Sequence, residues 1–412
     1  MAASLVSDAA LARLWPRLRD LAARSAHYRD RIPVDVVDGP PSVDALRRIA
    51  GIHKEEIIAL QRARPPFGDV LVGERPRDGR CYVSPGPVYL VLSAADVEAS
   101  GRSLARQWEI CGIGAGDVVD VSSSFHWVFA GLNCADALAE IGAVLVPGGP
   151  GFTDVRVQTM RELGVTVLQA FTPYAEEIGV RLREQGVDPA RDLGVRLLVI
   201  GGELRTERSK ARLAELWGNP AIVEVYGTAE TGITAVECSE AADGMHLADD
   251  VIVEVVDVET GDAVGPGEPG EIVITELLRE AMPVLRLFTG DITEGYTLDR
   301  CACGRDVPRL GRILGRKSTI PRVRGLFLSP VQVREVLDRH AGLGPCRIVI
   351  SRPGRTDDLR IEIEAEPGVA DSAAVGDALR GTIRLAAQIE LVAPGSLGID
   401  RDVVDDQRVV NG

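Results

Sequence analysis

The stretch VRLLVIGGELRTERSKARLAELWGNPAIVEVYGTAETG, residues 195–232, decides the fold class. Its flanks, VRLLVIGG (195–202) and AIVEVYG (221–227), are short apolar runs closed by glycine, as strands buried on both faces are. Residues 206–217 between them carry a helical pattern. Strand, helix, strand is a crossover unit, and a crossover makes the two strands parallel. Working outward toward the N-terminus, the alternation recurs in VVDVSS (118–123), AVLVP (143–147) and VTVLQAF (165–171), with a helix expected over 94–112. The region 87–275 therefore reads as α/β with largely parallel sheets. Its end differs: VIVEVVDVETGDAVGPGEPGEIVIT reads as two antiparallel strands around a turn-rich loop. After about residue 315 the pattern restarts with a helix (VQVREVLDRH), alternating strands (CRIVISR, LRIEIEAE) and a helix over 371–387, a small α+β domain. The expected organisation is a large domain (1–314), a hinge (315–319) and a small domain (320–412). At the N-terminus, Leu11, Leu14, Trp15, Leu18 and Leu21 predict one amphipathic helix over 8–31.

A chain of 412 residues is too long for one core. Hydrophobic residues are 45% and charged ones 26%, ordinary for a globular protein. The net charge of −15 argues against nucleic acid and anionic membranes as partners, because both are bound chiefly through cationic side chains. No apolar run approaches the length of a membrane span, and no basic segment precedes an apolar one at the start, so a cytoplasmic location is expected. Seven unevenly spaced cysteines do not form a disulfide framework. Lys54, Lys210 and Lys317 are the only lysines, so a missing catalytic lysine can be recognised at once.

One cluster has metal-ligand spacing. Cys238-x7-His246 precedes Cys301-x-Cys303, and three thiolates with one imidazole suit tetrahedral Zn²⁺. The other reading is buried reduced cysteine. Gly112-Ile113-Gly114-Ala115-Gly116 looks like a dinucleotide loop but follows a helix and precedes a strand, the reverse of the fingerprint, and reads as a turn. Nothing resembles the G-x-S-x-G of a serine hydrolase.

Four stretches together resemble the adenylate-forming superfamily, and within it the phenylacetate–CoA ligases: GGE (201–203), EVYGTAETG (224–232), PVLRLFTGDIT (283–293) and CGRDVPRLGRILGRKSTIPRVRGLFLSPVQV (303–333). RSAHYRDRI (24–32), SVDALRRIAGIHKEEI (42–57) and PPFGD (65–69) extend the resemblance over essentially the whole chain. It implies a large domain, a mobile small domain, and activation of a carboxylic acid by ATP followed by acyl transfer to CoA. Zinc-bearing relatives show similar Cys/His spacing, so the resemblance implies a closed, structural zinc at Cys238, His246, Cys301 and Cys303.

Residue by residue, the ATP side departs from that pattern. The family's phosphate loop reads roughly S-S-G-T-T-G-K-P. The equivalent here, VSPGPVYLVLSAADV (83–97), lacks T-T-G-K when aligned on Ser84, Gly86, Pro87 and Asp96, and Pro85 and Pro87 remove two backbone donors. Tyr226, Gly227, Thr228, Ala229 and Glu230 match the Tyr-Gly-x-Ser/Thr-Glu motif, but Ala229 lacks the hydroxyl. The resemblance implies that Glu230 helps hold Mg²⁺ and that Asp291 binds ribose. The family's G-R-x-D-D hinge reads Gly315-Arg316-Lys317-Ser318-Thr319 here, so both acids are gone; Asp291, Arg316 and the retained Arg324 are the residual nucleotide-side candidates, the arginines as sources of charge, and no lysine follows Lys317 to serve as the adenylation lysine. The expectation is impaired or lost ATP-dependent adenylation.

The acyl side is retained. Phe125, His126, Trp127 and Phe129 concentrate aromatics in the region where relatives line the acyl pocket, and Tyr174, Gly201, Gly202 and Glu203 are further wall candidates. The bland reading is a core helix with a satisfied histidine. If chemistry proceeds without ATP, His126, Tyr226 and Glu230 are the polar groups expected in the cleft. Three readings stand open: a ligase-like enzyme acting on a pre-activated aryl or acyl group, such as a thioester, in acyl transfer, condensation or cyclisation; an active aryl–CoA ligase with a divergent ATP site; and an acyl- or partner-binding pseudoenzyme. The resemblance offers CoA as the acceptor and a homodimer as the assembly, and a carrier protein is a further candidate partner.

Overall fold

The computed structural model describes residues 5–84, 87–202, 206–324, 326–353, 356–399 and 402–408, with side chains at 207 and 241–243 set aside. The chain separates into two compact units: residues 1–203, 213–289 and 293–312 form the first, and residues 204–212, 290–292 and 313–412 the second. Among the described residues no helix is long and apolar enough to cross a membrane.

In the first unit, α1 (Asp8–Arg24) starts on Ser7, whose side chain accepts the Ala10 N–H. It buries Leu11, Leu14, Trp15, Leu18 and Leu21. The single helix expected over 8–31 is instead two. Ser25 is extended (φ −134°, ψ 127°) and its N–H closes α1 on the Leu21 carbonyl. The break lets the following α2 (Ala26–Arg31) bury Tyr28, whose hydroxyl donates to the carbonyl of Pro283 (2.7 Å). After α3 (Lys54–Ala63) come the hairpin strands β1 (Arg80–Ser84) and β2 (Val88–Leu92). Next is α4 (Ala94–Cys111), opened by a Ser93/Asp96 capping box. The buried Asp96 carboxylate also accepts the N–H groups of Glu280 and Ala281, which fixes the helix start to that loop. Gly112 closes α4 in the left-handed conformation (φ 95°), so the glycine run at 112–116 is indeed a turn.

The principal sheet contains β3 (Val118–Val121), β4 (Val144–Val146), β5 (Val167–Phe171), β6 (Leu197–Gly201), β7 (Ala221–Thr228), β8 (Gly232–Cys238), β9 (Ala241–Leu247), β10 (Tyr296–Thr297) and β11 (Arg309–Leu310). Its order is β10-β11-β9-β8-β7-β6-β5-β3-β4. The strands from β4 to β7 are parallel, as the crossover pattern requires. From β7 onward each pairing is antiparallel. Helices α5 (Phe129–Ile141), α6 (Thr153–Leu163) and α7 (Thr172–Glu184) join the parallel strands. The core on one side contains Leu104, Trp108, Val121, Cys134, Leu138 and Val199, and on the other Met160, Leu168, Ile178, Ile200 and Trp217. Each large apolar side chain so buried contributes roughly 1.5–3 kcal/mol. The antiparallel pair expected at 250–275 is Val251–Val256 with Gly270–Glu276, in register from Val251↔Glu276 to Val256↔Glu271.

The second unit holds a four-stranded sheet built from Leu343–Ser351, Asp358–Ala365, Gln388–Val392 and Val403–Asp406. Its helices Pro330–Asp338 and Ser372–Ile383 share a core with the sheet through Val336, Leu337, Ile348, Ile361 and Leu379.

Candidate functional site

The hairpin from β7 to β8 presents Glu230. Thr228 pairs with Gly232 across it, so Ala229, Glu230 and Thr231 form the turn. Two glycines make so tight a turn possible. A Cβ on Gly227 would lie 2.1 Å from the Gly232 carbonyl oxygen, and Gly232 itself has φ 75°. The turn is pinned by Arg279, which donates to the Glu230 carbonyl, and by the bond from the Thr231 N–H to the Thr228 hydroxyl (3.2 Å). Tyr226 and Glu230 are both buried.

The Glu230 carboxylate has two partners that sequence reasoning missed. Lys54 Nζ lies 2.9 Å from Oε1, and Ser84 Oγ donates to the same oxygen at 3.1 Å. Lys54 is the first residue of α3, and Ser84 ends β1. Burial pushes the Glu230 carboxyl up, but the Lys54 ammonium and the Ser84 hydroxyl outweigh it and hold it below the usual carboxylate range. A small, mainly apolar cleft, lined by Tyr28, Ile52, Ile57, Leu90 and Met282, opens beside Glu230. His27 stands at its edge, lowered to about 4 by burial and then by the charge of Arg31, so it is neutral at pH 7.

The depressed Glu230 carboxyl stabilises the fold above its unfolded value, and that contribution disappears as pH falls through the folded one. Lys54→Met should reverse the sign by leaving a buried carboxylate without its cation. The expected cost at pH 7 is about 1–2 kcal/mol, discounted because Lys54 is partly exposed. The gap between variant and wild-type melting temperatures should close between pH 7 and pH 4. A gap independent of pH would contradict this.

Strands β1 and β2 stay in register to the Ser84↔Val88 pair. The chain aligned with a phosphate loop is thus a hairpin with three residues, 85–87, between its paired ends. Pro85 and Gly86 lie outside the described residues, as do Glu203 and Gly325.

The aromatic segment does not form one wall. Phe129 is buried, edge-on to Tyr82 (5.3 Å) and under the Arg279 guanidinium (4.9 Å). Phe125 is half-buried, whereas His126 and Trp127 are exposed. Trp127 is left-handed (φ 65°), which turns this part of the loop outward. His126 therefore stands at the surface rather than in an enclosed cleft. Tyr174 is half-buried, donates to the Gly151 carbonyl (2.6 Å) and stacks under Arg156 (5.3 Å). Gly201 ends β6, and Gly202 follows in the left-handed region (φ 86°), where a Cβ would strike the Phe171 ring.

In the second unit Asp291 is buried and ion-paired with Arg316 (2.9 Å). Arg324, expected as charge for a nucleotide, is tied down locally instead: its Nε donates to the Asp357 carbonyl (2.8 Å) and its Nη1 to that of Ala386 (3.2 Å).

Cys238, His246, Cys301 and Cys303 come together, all four ligand atoms within 4.8 Å of one another. Cys238 ends β8, His246 lies on the neighbouring β9, and the tight turn at 301–304 supplies the other two thiols. Cys238 Sγ is 3.7 Å from Cys301 Sγ, and Cys303 Sγ is 3.5 Å from His246 Nε2. Soft donors converging in this number fit a four-coordinate metal with no open position.

The profile of the AMP-binding enzymes matches residues 91–277. The phenylacetate-coenzyme A ligase of Thermus thermophilus is 30% identical over 367 residues, spanning 85% of this chain and 80% of that protein. That of Aromatoleum evansii is 28% identical over 368 residues, spanning 87% and 81%. Among solved structures, a 2-hydroxyisobutyryl-CoA ligase in an open conformation with 2-HIB-AMP and CoA superposes with a TM-score of 0.80 at 26% identity, covering 94% of this chain and 88% of that one.

Proposed function

We propose a function from one premise: the chain belongs to the phenylacetate–CoA ligase-like family of adenylate-forming enzymes. The relatives compared above are acyl-CoA ligases, and this chain acts on a small acyl or aryl group. Within that family it has given up ATP-dependent adenylation and takes an acyl group that arrives already activated, such as a thioester. The observation carrying this reading is the hairpin at Ser84–Val88 in place of a phosphate loop. A triphosphate needs several converging N–H donors and a cation. Only three residues, Pro85, Gly86 and Pro87, separate the paired ends, and two of them are prolines without an N–H. Three further features support it. Ala229 has no hydroxyl, no lysine follows Lys317, and Glu230 is already neutralised by Lys54. CoA or a carrier protein is the acceptor that suits an acyl transfer of this kind. Zn²⁺ is the ion that the Cys238/His246/Cys301/Cys303 set would hold, in a structural role.

One observation favours a second reading. Lys54 brings an ammonium to Glu230, so a ligase with a rearranged ATP site would not lack a cation there. Calorimetric titration of Mg-ATP into the zinc-loaded protein separates the two, with acid-dependent pyrophosphate exchange as a second readout. No heat at millimolar nucleotide and no exchange are expected. Binding at millimolar concentration or tighter, with exchange, would establish the second reading instead.

A further inference from the structure

The four residues of the Cys/His cluster are not equally protected. Cys238, Cys301 and His246 are 5%, 3% and 0% exposed. Cys303 is only half-buried, because it sits in a turn whose neighbouring residues, Ala302, Gly304 and Arg305, face solvent. The turn is closed by the Gly304 N–H to the Cys301 carbonyl (2.9 Å) and by the Cys301 N–H to the Arg305 carbonyl (3.0 Å). Gly304 is left-handed (φ 87°) with open space where a Cβ would stand, so among the described residues none covers the turn there.

Two neighbours equip that sulfur for oxidation. Arg305 Nη1 donates to Cys303 Sγ at 3.5 Å. A metal-ligating cysteine is already a thiolate, the form that attacks oxidants. The part left to Arg305 is to meet the negative charge that develops on an oxygen leaving beside the sulfur. Resolving thiols are also at hand: the sulfurs of Cys238 and Cys301 both lie within 4.8 Å of Cys303 Sγ. Disulfide sulfurs sit about 2 Å apart, so either bond closes with a movement of at most about 3 Å. The remaining cysteines lack this combination. Cys81 is exposed but belongs to no ligand group, and Cys111, Cys134 and Cys346 are buried.

We propose that the cluster is a peroxide-responsive switch, in which Cys303 is the sulfur oxidised first and Arg305 activates it. The inference rests on zinc occupying the set, as proposed above, and adds its reversible release. The Cys303 thiolate attacks one oxygen of hydrogen peroxide. An S–O bond forms, the O–O bond breaks, and hydroxide leaves, giving a sulfenic acid. The thiolate of Cys238 or Cys301 then attacks the Cys303 sulfur, expels a second hydroxide and forms a disulfide. The two thiolates lose two electrons and the peroxide gains them. With two ligands consumed, zinc departs unchanged in charge, and the 301–304 turn is no longer tied by metal to β8 and β9. Strand β8 begins at Gly232, beside the turn that carries Glu230, so the metal end and the candidate site share one strand.

The test begins with the zinc content of the purified full chain; protein without zinc would overturn both the metal assignment and the switch. Zinc-loaded Cys81→Ser protein, which lacks the exposed thiol outside the cluster, is then titrated with hydrogen peroxide. A chelating dye reports free zinc, and alkylated products are mapped by mass spectrometry. One zinc should be released per disulfide formed, the disulfide should join Cys303 to Cys238 or Cys301, and a thiol reductant with added zinc should restore the metal. Arg305→Ala keeps all four ligands, and its zinc content before peroxide shows that it folds. It should release zinc about fivefold more slowly, the factor that a unit charge close by is worth in water. Three results would overturn the switch and leave the structural metal in place: zinc retained at a peroxide excess that oxidises Cys81 in the wild type, zinc lost with Cys303 carried to a sulfinic acid and no disulfide, or Arg305→Ala releasing zinc as fast as the protein with Arg305.

Discussion

Cys301→Ser should reduce bound zinc from one ion per chain to a small fraction and lower Tm by about 10 °C or more. The four ligands come from three separate pieces of chain: the end of β8, the neighbouring β9, and the 301–304 turn. A metal that joins such pieces contributes folding free energy directly, on the order of 10 kcal/mol in isolated zinc peptides. Only part of that is at stake here, because β8 and β9 are also joined by backbone pairing. A loss of several kcal/mol, at about 2–4 °C for each, gives the expected shift. Cys81→Ser is the control: Cys81 is exposed, belongs to no ligand group, and should leave both zinc content and Tm unchanged. Elemental analysis with melting curves decides the matter. Wild-type protein that purifies without zinc, or a Cys301→Ser variant that keeps it, would remove the metal from the account.

That cluster was legible in the sequence because its chemistry is carried by rare residue types at a recognisable spacing. The parallel strands were legible for a different reason. Runs such as LLVIGG (197–202) are apolar throughout because helices cover both faces, and glycine marks their ends. What stayed hidden depends on long-range partners or on backbone sign. Lys54 stood out only as one of three lysines, and nothing near it in sequence announces Glu230 or Ser84. The arginine at 324 looked available for a nucleotide, and only folding brings Asp357 and the Ala386 carbonyl to it. Aromatic content suggested that Phe125, His126, Trp127 and Phe129 share a wall. The positive φ of Trp127, invisible in a pattern of residue types, turns part of the segment to solvent instead. The helix break at Ser25 is a similar case, since the apolar spacing of α1 carries no stop signal stronger than a serine.

The second large effect is expected at a buried ion pair on the principal sheet. Asp120 lies on β3 and is 1% exposed; Arg156, on α6, is 4% exposed. Arg156 donates to the Asp120 carboxylate and, through its other terminal nitrogen, to the carbonyl of Gly149. Gly148 allows the approach, since a Cβ there would lie 2.6 Å from Asp120 Oδ1. The pair thereby holds the loop after β4 against the carboxyl end of β3. In parallel α/β sheets that is the edge where ligands bind. Arg156→Leu should cost about 3–5 kcal/mol, because it strands a carboxylate that burial already pushes above its usual range. Asp120→Asn with Arg156→Leu should recover much of the loss, since no buried charge is then left uncompensated. The pH dependence follows from the sign of the shift. A carboxyl raised in the folded state binds its proton more readily there than in the unfolded chain, so folding gains as pH falls. The deficit of Arg156→Leu should therefore shrink between pH 7 and pH 5, while that of the double variant stays level. Denaturant melts across that range separate the outcomes. A single variant within 1 kcal/mol of wild type, or a double variant as unstable as the single, would mean that the arginine acts through packing against Tyr174 and its bond to Gly149 rather than through the charge of Asp120.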